Sequence, residues 1–198
     1  WPECQISVSN SLDERLIQNL FLQGAQIDMF GVGERMITAK SEPVFGGVYK
    51  LTAVENDKGE IIPKIKCSEN VEKITIPHFK KVYRLYNRDN GKAIADYMTV
   101  HDEVVDENEP LMLFDPYATW KTKNVCNFEA RELLVPVFLN GKKVYQSPTL
   151  KDIQAYCKQQ VNTLWDEIKR FDNPQTYYVD LSQKLWDIQQ ELLRKNRN

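Results

Sequence analysis

Between Ile6 and Gly33 the chain reads strand, helix, strand, and that order constrains the fold more than any other segment. Ile6-Ser7-Val8-Ser9-Asn10-Ser11 is a short strand-like run closing on small polar residues, and Ile27-Asp28-Met29-Phe30-Gly31-Val32-Gly33-Glu34-Arg35 is a strand that runs into a Gly-x-Gly turn. Between them Leu12, Leu16, Ile17, Leu20 and Phe21 fall on one face at helical spacing. Ser11 and Glu14 have the spacing of a capping box, and Gly24 stands where a left-handed C-terminal residue belongs. Two strands joined by a helix run parallel, with a right-handed crossover. A pair of parallel strands cannot bury both of its faces, so further strands are expected from residues before Trp1 or from another chain. The opening Trp1-Pro2, with a strand following almost at once, carries the same expectation: this is the C-terminal piece of a longer protein.

After Pro43 the pattern changes. Residues 46–55 and 60–67 form an expected hairpin around Asn56-Asp57-Lys58-Gly59, residues 81–87 and 92–98 a second around Asn90-Gly91, and residues 133–139 and 142–146 a third around Asn140-Gly141. Asn-Gly between apolar runs is a strong hairpin signal because both central residues must accept positive φ. The tail is helical. Thr149 is placed to cap a helix carrying Leu150, Ile153, Cys157, Leu164, Ile168 and Phe171, which Asn173-Pro174 stops. Asp180 is placed to cap a last helix with Leu181, Leu185, Ile188 and Leu192 on one face and the cationic end Arg194-Lys195-Asn196-Arg197. The expected fold is therefore α/β over residues 1–43, the last βα units of an irregular barrel. Residues 44–198 are read as part of a second domain: antiparallel hairpins over 44–146, then helices over 149–172 and 180–196.

Composition removes several classes of function. A formal charge of -2 provides no basic footprint for a large nucleic-acid surface. No apolar run approaches the roughly 20 residues that cross a bilayer, so neither nucleic acid nor membrane is an expected partner. Cys4, Cys67, Cys126 and Cys157 are widely spaced, with only His78 and His101 beside them, which points to reduced cysteines in the cytoplasm and to no metal site.

The chemistry sits in the two strand-end loops. In α/β barrels a phosphate often rests against the loops after the last two strands, where unsatisfied N–H groups converge on the anion. Ser9-Asn10-Ser11 offers hydroxyl and amide donors, and Gly31-Val32-Gly33-Glu34 offers backbone N–H groups; Arg35 either adds a charge-assisted contact or points outward. Glu34 is a poor phosphate ligand except through its amide. Asp13 favours the helix N-terminus. Each loop also has a plain reading, as a helix cap and as a turn; their succession in one βαβ unit is what favours an anion. Lys50, on an expected strand leaving the pocket, reads as a solvated lysine before it reads as a phosphate contact. Trp120, Trp165 and Trp186 read as packing residues.

These loops belong to a wider resemblance. Ser9-Asn10-Ser11-Leu12-Asp13-Glu14, Ile27-Asp28-Met29-Phe30-Gly31-Val32-Gly33 and Gly46-Gly47-Val48-Tyr49-Lys50-Leu51 resemble the C-terminal part of the nicotinate phosphoribosyltransferase family. The similarity continues through Lys64-Ile65-Lys66, Ser68-Glu69-Asn70, Lys73, Pro77, Lys80, Val82-Tyr83-Arg84-Leu85 and Gly91-Lys92-Ala93-Ile94-Ala95-Asp96. The resemblance implies an enzyme that makes nicotinate mononucleotide and pyrophosphate from nicotinic acid and phosphoribosyl pyrophosphate with ATP hydrolysis, in NAD salvage. It implies Mg²⁺ and ATP as cofactors, a homodimer, and an irregular barrel with a second domain. It assigns the ribose and 5′-phosphate end of the pocket to Ser9, Asn10, Ser11, Gly31, Val32, Gly33, Glu34 and Arg35. It places the phosphorylated histidine and the ring contacts before Trp1, so no catalytic residue is expected here and the segment alone is expected to be inactive. Two departures stand out: many members have Thr at the position of Glu34 and Gly at the position of His78. The alternatives are a non-catalytic phosphate-binding or assembly module, or a nicotinamide-specific relative.

Overall fold

The computed structural model describes residues 1–44 and 46–196, so Arg197 of the expected cationic end lies outside the described residues. The topology is mixed α/β, with antiparallel sheets and C-terminal helices, and it divides into two compact units, Trp1–Tyr49 and Lys50–Asn198.

In the first unit β1 (Ser7–Ser9), α1 (Glu14–Leu22), β2 (Met29–Gly31) and the single turn α2 (Glu34–Ile37) follow one another. β1 and β2 pair in parallel with Ser7 opposite Met29 and Ser9 opposite Gly31, the arrangement that strand–helix–strand order requires. The cap of α1 is one correction. Asp13, not Ser11, is its N-cap, its carboxylate accepting from the Leu16 amide at 2.8 Å. Ser11 cannot take that role because it sits at φ 50° inside the loop, directly after Asn10 at φ 100°.

The second unit is built on a four-stranded sheet in the order β12 (Val179–Leu181), β6 (Ala93–Val100), β5 (Lys80–Asn87) and β9 (Phe128–Glu132). It is preceded by the hairpin β3 (Ala53–Glu55) and β4 (Ile61–Pro63). β5 (Lys80–Asn87) and β6 (Ala93–Val100) form the expected central hairpin. At its turn only Gly91 takes positive φ, at 66°, and Asn90 does not. The ribbon β7 (Leu111–Phe114) and β8 (Thr122–Val125) and the strand β9 (Phe128–Glu132) were not legible as pattern. β10 (Phe138–Leu139) and β11 (Lys142–Lys143) are shorter than expected, and at their turn Asn140 and Gly141 adopt φ 49° and 74°, the double left-handed geometry of a tight hairpin.

α3 (Leu150–Thr163) starts at the expected Thr149 cap, completed as a capping box by Asp152. It ends at Thr163 rather than near 172, because Leu164 turns to extended backbone and the Trp165 indole N–H donates to the Ala93 carbonyl at 3.0 Å. Asp180 is not a cap. It lies within β12 (Val179–Leu181), a strand that joins β6 in parallel, and Ser182 caps α4 (Gln183–Lys195) instead.

Strand alternation sends Tyr83, Leu85, Ala95 and Tyr97 to one face, where they meet Leu113, Val125 and Phe128 beneath the β7–β8 ribbon. Val100, Leu181 and Leu185 form a second cluster with Met98, Trp186 and Ile188 from β6 and α4. Arg84 and Asp96, opposite each other on β5 and β6, make a two-pronged ion pair at 2.8 and 3.0 Å, and the Tyr177 hydroxyl donates to the same carboxylate at 2.9 Å. Trp186 packs as expected, its indole edge-on to Phe114. Trp120 does not; it is 79% exposed. Lys50 is exposed on irregular backbone rather than on a strand.

Candidate functional site

The first unit brings its two loops to one hollow of about 270 Å³, walled by Ser9, Asn10, Ser11, Leu12, Gly31, Gly33, Glu34, Arg35 and Lys40. Parallel pairing is the cause. With both strands running the same way, the loops after Ser9 and Gly31 leave the same edge. Of the residues singled out from sequence, only Val32 is absent from the wall.

Gly31 permits this approach. A Cβ there would stand 2.9 Å from the Ser9 Cβ, a separation real side chains do not tolerate. Gly33 differs. An added Cβ would meet no protein atom within 4 Å, so packing against the protein does not demand glycine there, although its backbone, at φ -118° and ψ -105°, lies outside the helical and extended regions. Across the hollow, Asn10 and Ser11 are consecutive non-glycine residues in left-handed backbone. Such geometry costs of order 1–3 kcal/mol per residue and concentrates at functional loops.

The charges are unevenly committed. Arg35 Nη1 donates to Asp13 Oδ2. The Leu16 amide first, and Arg35 second, hold the Asp13 carboxyl below the usual range. Arg35 is thus anchored at the wall by the residue that caps α1. Lys40 contributes a second cation, and Glu34 is the single acid among the lining residues. Sequence reasoning missed Lys40, which stands five residues past Arg35 with no motif to mark it; its amide donates to the Arg35 carbonyl at 3.0 Å, closing the turn that carries it back. The first N–H groups of a helical turn have no acceptor within it, and at α2 these belong to residues on the hollow's wall. The arrangement offers hydroxyls, amides and two cations to an anion.

The remaining candidates lie elsewhere. His78, at φ 80°, accepts a hydrogen bond from the Phe79 amide and stacks on His101 with ring centroids 5.8 Å apart. The four cysteines are free and exposed. Among the described residues no group of three His, Cys, Asp or Glu side chains converges to hold a metal ion, and no helix is long and apolar enough to cross a membrane.

Comparison with known proteins follows the same outline. Residues 79–189 match a family model described as the nicotinate phosphoribosyltransferase C-terminal domain. Nicotinate phosphoribosyltransferase of Bacillus subtilis is 42% identical over 186 residues, covering 94% of this chain and 38% of the relative. The Caenorhabditis elegans enzyme is 33% identical over 198 residues, covering 99% of this chain and 34% of the relative. A crystal structure of human nicotinic acid phosphoribosyltransferase superposes with a TM-score of 0.69 at 22% identity, over 96% of this chain and 33% of that one, a likeness of fold. The chain spans about a third of the length of the curated relatives it matches.

Proposed function

The chain belongs to the nicotinate phosphoribosyltransferase family, and from that premise we propose that it supplies the ribose-phosphate anchor of an enzyme joining nicotinic acid to phosphoribosyl pyrophosphate. The observation that carries this reading is the meeting of the Ser9-Asn10-Ser11 and Gly31–Arg35 loops on one hollow, with Arg35 and Lys40 on its wall. A phosphate there would accept from backbone amides around Gly33 and Glu34 and from the hydroxyls of Ser9 and Ser11, while the fixed Arg35 charge and Lys40 supply attraction. Held by its 5′-phosphate, the sugar keeps its anomeric carbon oriented for displacement of pyrophosphate, so the loops act by positioning. No acid, base or nucleophile is assigned to them.

Resemblance brings Mg²⁺ and ATP with it; among the described residues no three ligating side chains converge, and Asp13 is committed to Arg35 and the Leu16 amide. No step is routed through either. The relatives are about three times as long as this chain, and we assign the chemical step and any dimer contact to parts of the enzyme that correspond to the rest of their length. Calorimetric titration tests the anchor. Ribose 5-phosphate is expected to bind the chain and ribose is not; equal heats from both, or from neither, would overturn the reading. Incubation with nicotinic acid, phosphoribosyl pyrophosphate, ATP and Mg²⁺ is expected to yield no nicotinate mononucleotide.

A further inference from the structure

The second unit holds a cavity of about 230 Å³ between the β7–β8 ribbon and the β6–β12 edge, apart from every residue the proposed function uses. Ile94, Ala95, Leu113 and Phe114 make its walls apolar, and Asp180 lines it although only 5% exposed. Among the described residues none donates a hydrogen bond to the Asp180 carboxyl, and no lysine or arginine pairs with it. Among the described residues, the charge that acts on it most is unfavourable. Asp115, also on the cavity wall, adds to burial in pushing Asp180 up to about 6. Lys121 and Lys123 stand on the same wall but are exposed to solvent, which screens them.

A carboxylate in a buried residue with no protein donor depends on whatever fills the space beside it, and proteins ordinarily satisfy one. Here the place for a cationic donor is the cavity itself, whose walls are mainly hydrocarbon with Asp115 beside them. Size narrows the class further. An engineered apolar cavity of roughly 150 Å³ accommodates benzene, so this one accommodates a single ring with a short substituent.

We propose that this cavity binds a small aryl cation, an arylmethyl ammonium or aryl amidinium, with the ring against Leu113 and Phe114 and the charged nitrogen donating to Asp180. The walls supply burial of the ring, and Asp180 and Asp115 supply the charge preference, so the cation is selected over a neutral ring of the same size.

Three probes of one shape test this on the full chain by NMR titration: benzylammonium, benzyl alcohol and phenylacetate. Benzylammonium is expected to saturate, with shifts confined to the lining residues, and to bind at least tenfold more tightly than either competitor. Asp180→Asn is expected to abolish that preference while leaving the far-ultraviolet spectrum unchanged, and Lys123→Ala is expected to preserve it. Equal binding of the alcohol and the amine would overturn the proposal, as would a preference for phenylacetate or no saturable binding by any probe. The three-probe comparison on the unaltered chain decides the matter even where Asp180→Asn does not fold.

Discussion

The two units bury very different shares of their apolar side chains. Among the described residues of the first, Leu12 is the buried hydrophobic, while Leu16, Phe21, Leu22 and Met29 remain 40%, 51%, 77% and 51% exposed. In the second, Leu85, Ala93, Phe128 and Leu185 are each wholly buried. The unit with the proposed anion site therefore has little core of its own, and the unit with the core carries the stability. A hollow formed by loops from two parallel strands needs those strands held in register, and β1 and β2 share only three paired positions. What the first unit gains is close backbone approach at Ser9 and Gly31; what it gives up is independent packing.

That contrast is most open to attack through truncation of aromatic side chains. Phe128→Ala removes a fully buried ring and is expected to cost about 3–5 kcal/mol in urea unfolding, whereas Phe21→Ala, at a half-exposed ring, is expected to cost under about 1 kcal/mol. Comparable losses would show that the first unit has a core that its exposed side chains do not reveal.

A second contrast lies between two residues of one loop. Gly31→Val is expected to force β1 and β2 apart, since its Cβ would stand 2.9 Å from that of Ser9, and so to weaken both folding and phosphate binding. Glu34→Thr is expected to tighten ribose 5-phosphate binding severalfold by removing the one acid on the wall; unchanged or weaker binding in a calorimetric titration would count against the placement of the phosphate beside residue 34.

Asp180 provides the pH test of the second unit. Its folded pKa of about 6 lies above the ordinary 3.8, so the folded state holds the proton more tightly and stability is lost as pH rises from about 4 through 6. Asp180→Asn removes that loss. The variant is expected to match the parent near pH 4 and to exceed it by of order 1 kcal/mol at pH 8; a constant difference across that range would contradict the assignment. The smallest effect is expected at the surface, where breaking the exposed Lys195–Glu191 pair by Glu191→Gln is expected to leave the midpoint of urea unfolding unchanged.

Local chemistry made parts of this architecture legible and left others hidden. The parallel β1–β2 pair followed from strand–helix–strand order, and Asn140-Gly141 followed from its backbone demand. Asp180 misled because an acid ahead of an amphipathic helix has the form of a cap; its membership of β12 depends on pairing with β6, more than eighty residues earlier, which no local pattern encodes. The β7–β8 ribbon was silent for a related reason: Thr122, Lys123 and Asn124 are exposed, so one of its strands lacks apolar alternation. At the anion hollow the glycines and small polar residues were readable as types, but the Arg35–Asp13 tether and the return of Lys40 are products of folding.

The central claim is that the backbone around Gly33 faces the bound phosphate. Gly33→Val tests it most directly, because its new side chain meets no protein atom within 4 Å and leaves the protein's own packing intact. Ribose 5-phosphate affinity is expected to fall at least tenfold in a chain that stays folded. Unaltered affinity in a folded Gly33→Val chain would contradict the account.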